Sequence, residues 1–232
     1  MTTVHISVEG QTEKLFVDKV LNPNFQSLGL YLVPTMLTTS LSPEGRQYKG
    51  GFPKFSEVKK TLQNLLDNPN TYVSTMYDFY ALPNDFPGLD KVSGIDAPYI
   101  KIQTLEQSLV ESLNLDNSKQ SRFIPYFQLH EFETFIFVDE FKTLGRIYDA
   151  DAAQKHSFCN ILQQYSNPEL INTTKGPSKH LKEIFGDRFQ KNTDGIFISQ
   201  DCGIDSLRAN CANFNKWIAK LEGLNHNTVI AG

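Results

Sequence analysis

Four carboxylates stand where a run of strand-like residues stops. Val4, Ile6 and Val8 alternate with His5 and Ser7 and end at Glu9. Residues 72–77 end at Asp78, and residues 123–129 lead into His130-Glu131-Phe132-Glu133. Period two is the spacing of a strand, and in an open parallel sheet the carboxyl ends of the strands border the crevice where ligands bind. Carboxylates drawn into one crevice repel one another, and a divalent cation relieves that repulsion. Hard oxygen donors suit Mg²⁺ or Mn²⁺, ions that keep several waters and bridge to phosphate. Glu9, Asp78, Glu131 and Glu133 are therefore candidate metal ligands. Such an ion serves a phosphodiester substrate by activating water and stabilising the leaving oxygen, and two ions about 4 Å apart clamp both oxygens.

Any one acid after a strand is ordinarily a helix cap or a solvated turn; three at successive strand ends point to a shared site. Glu131 and Glu133 are two residues apart; on a helix they diverge, and both reach one ion only if extended geometry persists through the motif. Asp85 is a further candidate ligand. Glu13, one helical turn after Glu9, is expected to orient or cap that turn. Phosphodiester chemistry also needs cations. Residues 46–60 carry Arg46, Lys49, Lys54, Lys59 and Lys60 against Glu57 alone, with Gly50-Gly51 between them, and Arg46, Lys49 and Lys54 are candidate nucleic-acid contacts. Lys175-Gly176-Pro177-Ser178-Lys179 precedes a helix whose free amides favour an anion, which makes Lys175 and Lys179 candidate catalytic or phosphate-binding lysines. The competing account of both segments is a solvated loop. His130 adjoins the acids as a ligand, a base or a cap of the strand end, the last being favoured. The aromatic side chains Phe123, Tyr126, Phe127, Phe132, Phe135 and Phe137 sit at packing spacings and are expected in the core, as is Trp217.

The elements that must position these residues follow from the rest of the chain. At 232 residues, a sizeable core is affordable without staples. The 22 Lys and Arg against 26 Asp and Glu leave a net charge of −4, so any contact with nucleic acid must be local. Cys159, Cys202 and Cys211 show no Cys-x-x-Cys spacing, which argues against a disulfide framework or a zinc ribbon. No eighteen-residue apolar window occurs, and a cytoplasmic location is expected.

Helical spacing at Phe16, Val17, Val20 and Leu21 follows the first strand. A second strand is predicted at 30–33, and Ser56 opens a helix through Val58, Leu62, Leu65 and Leu66. Ile102, Leu105, Leu109 and Leu113 mark another helix before the fourth strand. The alternation predicts an α/β fold with a mostly parallel sheet covered on both faces. Beyond about residue 145 helices dominate. Pro177 occupies a first helical position, and Ile204, Leu207, Cys211, Phe214, Ile218 and Leu221 predict one long amphipathic helix. The division expected is an α/β domain over 1–145 and a mainly helical C-terminal extension over 146–232 packed on it. Residues 225–232 read as a loose tail.

The segment Val8-Glu9-Gly10-Gln11-Thr12-Glu13 resembles the opening motif of Toprim domains. Together with the run from Asp78-Phe79-Tyr80 to Pro87-Gly88, then His130-Glu131-Phe132-Glu133, Pro177-Ser178-Lys179 and Arg208 to Trp217, it resembles the bacterial domain of unknown function 4276 family over nearly the whole chain. That resemblance implies a Toprim-like fold related to OLD-type nucleases. It also implies a metal-dependent nuclease acting on nucleic acid, DNA ahead of RNA, in defence against phage or plasmid, with an ATPase partner. Toprim domains pair the early Glu with a later Asp-x-Asp; here Asp78-Phe79-Tyr80 keeps the first Asp and puts Tyr80 in place of the second. The competing reading is a non-catalytic binding subunit of an ATPase-containing complex. A nucleotide-binding domain ranks below both, because only Gly10 follows the first strand and no Gly-rich phosphate loop does.

Overall fold

The computed structural model describes residues 1–37, 52–147, 149–165, 167–171 and 175–224. Arg46, Lys49, the Gly50-Gly51 pair and the tail 225–232 lie outside them. The first half runs β1 (Thr2–Val8), α1 (Gln11–Phe16), a π turn (Val17–Leu21), α2 (Asn22–Gln26), β2 (Leu30–Met36), α3 (Phe55–Leu66), β3 (Thr71–Asp78) and a 3-10 turn (Phe79–Ala81). It continues with α4 (Leu89–Val92), α5 (Pro98–Leu113), α6 (Asn117–Gln120), β4 (Phe123–Ile124) and β5 (Phe127–Gln128). After a 3-10 turn (Phe132–Phe137) come α7 (Glu140–Arg146), α8 (Ala152–Gln164), a 3-10 turn (Pro168–Leu170), α9 (Pro177–Phe185), α10 (Lys191–Asn210) and α11 (Ala212–Glu222).

The sheet is parallel in the order β2-β1-β3-β4, with β5 also paired to β3. Alternation along the strands decides what each face meets. Val4, Ile6 and Val8 point into an apolar core with Phe16, Val20, Leu21, Phe132 and Phe135. The same core takes Leu207, Phe214, Trp217, Ile218 and Leu221 from α10 and α11. Val73 and Tyr77 point to the opposite face, against Val58, Leu62, Ile102, Leu105 and Leu109 of α3 and α5. The expectation of a parallel sheet covered on both faces by helices is thus met. The six aromatic side chains from Phe123 to Phe137 and Trp217 are all buried, as expected. Among the described residues, no helix is long and apolar enough to cross a membrane.

Three local expectations are corrected. The fourth strand is two short pieces rather than one, because Pro125 has no N–H for the ladder. The Thr75 hydroxyl spans the gap, accepting from the Tyr126 amide at 2.8 Å and donating to the Tyr126 carbonyl at 2.8 Å. The long C-terminal helix is interrupted: Gly203 takes φ 75° within α10, and Cys211, extended at φ −120°, separates α10 from α11. Apolar spacing runs through the Cys211 break because helices on both sides feed the same core. Ser56 does not cap α3; the helix starts at Phe55, whose amide donates to Asp85 Oδ2 at 3.1 Å.

Candidate functional site

β1 and β3 are neighbours with Val8 opposite Met76. Glu9 and Asp78 therefore leave the sheet at the same carboxyl edge, about 4.8 Å apart across the ladder and one residue apart along it. Both are half-buried. Glu9 is followed by a turn fixed by Glu13, whose Oε2 accepts the Gly10 amide at 3.1 Å, so Glu13 caps α1 as the sequence suggested. On the other side of β3, Gln128 of β5 lies opposite Asp78. Gln128 is fully buried, its Oε1 accepts from the Tyr126 hydroxyl, and its Nε2 has no hydrogen-bond partner among the described residues. A buried amide donor left in that state is costly, and it stands beside Asp78. Burial first, and then the charges of Glu169, Cys211 and Asp78, hold the Tyr126 phenol well above its usual value.

The chain passes from β5 through His130 to Glu131. His130 is 6 % exposed, and burial brings its imidazole down to about 4. Its ring lies against Tyr80, with centroids 5.2 Å apart and planes inclined by 21°. Glu131 turns to α9: its Oε2 accepts the Ser178 amide at 2.9 Å. Gly176 lies so close that a Cβ there would sit 3.0 Å from that oxygen. The anion at the start of α9 is thus the chain's own carboxylate. Glu133 lies in the following 3-10 turn and is fully buried.

The remaining candidates are placed apart from the strand ends or at their margin. Asp85 is exposed and held at the first amide of α3. Lys54, also exposed, is the residue preceding that helix. Lys175 pairs with Glu183 at 2.6 Å, and Lys179 is exposed in the first turn of α9. A cavity of about 540 Å³ between α5 and α11, lined by Glu106, Tyr126, Lys216, Trp217 and Lys220 among others, includes none of the strand-end carboxylates.

Among the described residues, no three His, Cys, Asp or Glu side chains converge into a ready cation cage. The hard-oxygen donors at the carboxyl edge are the carboxylates of Glu9 and Asp78. This pair fits an ion of the Mg²⁺ class, which commonly takes one or two carboxylates and completes its shell with water and substrate phosphate. A closed, all-protein site it does not fit.

One residue escaped sequence reasoning altogether. Glu169 is fully buried; its Oε2 accepts from the Asn213 amide at 2.9 Å and the Tyr99 hydroxyl at 3.1 Å, and its Oε1 from the Phe214 amide at 3.0 Å. It caps α11, and Asn213 in turn donates its Nδ2 to the Phe127 carbonyl of β5 at 2.9 Å. Asn-Pro-Glu in a connecting segment carries no periodicity that would have marked it.

Solved structures similar to this chain include C-terminal regions of two OLD proteins. The C-terminal region of the Burkholderia pseudomallei OLD protein matches with 15% identity and a TM-score of 0.44, over 94% of this chain and 98% of that one. The C-terminal region of the Xanthomonas campestris pv. campestris OLD protein matches with 14% identity and a TM-score of 0.45, over 98% and 97%. No curated protein matches. The profile described as Domain of unknown function (DUF4276) matches residues 8–222, and the chain belongs to that family.

Proposed function

We propose that the chain is a Mg²⁺- or Mn²⁺-dependent nuclease that cleaves phosphodiesters of nucleic acid, with Glu9 and Asp78 as its metal ligands. The observation that carries this reading is that Glu9 and Asp78 leave two adjacent parallel strands at the same carboxyl edge of the sheet. A bound ion supplies charge neutralisation at phosphate and a water of lowered pKa. The chain's own residues do the rest. Glu13 fixes the turn that carries Glu9, and the β3–β5 pairing sets Gln128, a buried amide donor, beside Asp78. Glu131 accepts the Ser178 amide at the start of α9, the helix whose first turn carries Lys179, the proposed phosphate-binding lysine alongside Lys175. Glu131 and Glu133 remain the proposed source of a further carboxylate, and DNA is the substrate favoured over RNA. The resemblance drawn from the sequence supports a place in anti-phage or anti-plasmid defence beside an ATPase.

A second reading, a non-catalytic binding subunit of such a complex, is favoured by one observation. Tyr80, at the position of the second Asp of the Toprim pattern, packs on His130 instead of adding a ligand. Calorimetric titration of Mn²⁺ into the full chain, with cleavage of plasmid and oligonucleotides measured alongside, separates the two. The nuclease reading expects chelator-sensitive cleavage, and losses in Glu9→Gln and Asp78→Asn beyond the about 100-fold typical of losing an outer-shell partner. Mn²⁺ binding without turnover in any preparation favours the binding subunit. Absence of Mn²⁺ binding defeats the metal assignment.

A further inference from the structure

Directly after Asp78 the chain presents a flat aromatic surface. Tyr80 is 59 % exposed, yet its ring is not loose. One side stacks on the buried His130 ring at 5.2 Å, and Phe79 meets it edge-on at 4.8 Å with planes at 74°. Of the exposed aromatic side chains among the described residues, Tyr31 lies within β2, Phe141 in α7 and Phe197 in α10. Tyr80 is the one set two residues beyond a strand-end carboxylate. Two neighbours have thus already fixed the orientation of a π surface that remains open to solvent. The ordering cost of presenting it to a ligand is largely met in advance.

The ligand complementary to a preset π face at a phosphate-directed site is a nucleobase. Base–aromatic stacking is sequence-tolerant, and single-strand binders use it throughout. In a duplex the bases are stacked on each other, and exposing one costs a few kcal/mol. Two residues of chain span at most about 7 Å, so a base on Tyr80 brings its flanking phosphate over the carboxylates of the same edge. A chain of net charge −4 also gains from a contact that does not depend on cations.

We propose that Tyr80, braced by His130, is the base-stacking ledge of this site and that its substrate is single-stranded nucleic acid or an unpaired end, not intact duplex. The proposal deepens, and rests on, the nucleic-acid reading of the carboxyl edge. The test uses the full chain in excess EDTA, so that no metal takes part. Fluorescence anisotropy compares labelled oligodeoxythymidylate, a mixed-sequence single strand carrying one 2-aminopurine, and the blunt duplex of that sequence. The single strands should bind more tightly than the duplex. Tyr80→Ala and Tyr80→Leu should weaken single-strand binding about five- to 150-fold and abolish the stacking change in 2-aminopurine emission, while Tyr80→Phe retains both. Because the side chain is more than half exposed, the variants should stay folded and unfold cooperatively, with midpoints lowered only by the lost contacts to His130 and Phe79. The proposal is overturned if the parent binds no single strand, if duplex binds as tightly, or if Tyr80→Leu binds and quenches like the parent. Loss of Mn²⁺-dependent cleavage in Glu9→Gln bears only on the metal ligands, so failure of one reading is told apart from failure of the other.

Discussion

Removing the Glu169 side chain tests how the C-terminal helix is tied to the strands that carry the site. In Glu169→Ala, the buried amides of Asn213 and Phe214 lose their acceptor, while the Tyr99 hydroxyl keeps Asn167 as a neighbour at 3.0 Å. A stranded buried donor costs about 1–3 kcal/mol, so two give about 2–6 kcal/mol. Relief from burying the carboxylate's charge offsets part of this, for burial raises the Glu169 carboxyl above its ordinary value. A net loss of about 3 kcal/mol is expected, or about 6–12 °C in Tm for a chain of this size. Urea unfolding followed by Trp217, the one tryptophan of the chain, measures it directly. A loss below about 0.5 kcal/mol, the range of ordinary surface changes, would refute the capping argument. The sign of the pH dependence adds a second check. With the folded pKa raised, the native state holds more protons than the unfolded chain between the two values. The parent's stability from this group is present in full below the unfolded pKa and falls as pH rises through the folded one. Glu169→Gln, which keeps one acceptor and has no proton to lose, should cost less than Ala and flatten that slope.

Ring resonances of His130 should titrate near 4 in metal-free protein. Since the unfolded histidine takes up its proton near 6.5, stability should fall as pH drops from 6.5 towards 4; a midpoint near 6.5 would show a solvated ring. Gly88 has φ 86°, and a Cβ there would sit 2.5 Å from Ser108 Oγ, whereas Gly94 at φ 90° faces open space. Gly88→Ala should therefore cost about 2–4 kcal/mol and Gly94→Ala about 1–2 kcal/mol in urea unfolding, from left-handed strain with and without overpacking. Equal costs would show that the loop before α4 does not pack on α5. Lys175→Ala breaks a solvent-screened pair with Glu183 and should leave stability within the range of ordinary surface substitutions. Denaturant midpoints check this, and a larger loss would mean that the pair holds the start of α9 in place.

Much of the frame was legible because strand and helix periodicity are local. Val4, Ile6 and Val8 must face one layer whatever surrounds them, and residues that end such runs must fall at the sheet's edge. Periodicity located β1, β3 and the positions of Glu9 and Asp78. It misjudged the stretch around Pro125, where the Thr75 hydroxyl of the neighbouring strand bonds the Tyr126 amide and carbonyl across the break in the ladder. It also ran through Cys211, since a helix break leaves apolar spacing intact when both segments pack on one core.

The sequence by itself determined which carboxylates arrive at strand ends, because alternation needs only neighbouring residues. It did not determine what each carboxylate does there. Asp85 accepts the first amide of α3, Glu131 an amide at the start of α9, and Glu169 two amides of α11, each from an acid distant in the chain. Helix N-termini carry amides without intrahelical partners and a partial positive charge, so the acid that folding sets beside them is drawn in. Likewise Tyr80 reads in sequence as a missing ligand, and only its packing on His130 makes it a preset aromatic surface. The partner of a charged or aromatic group is a matter of distance in space, and that distance is fixed by how the layers pack rather than by spacing along the chain.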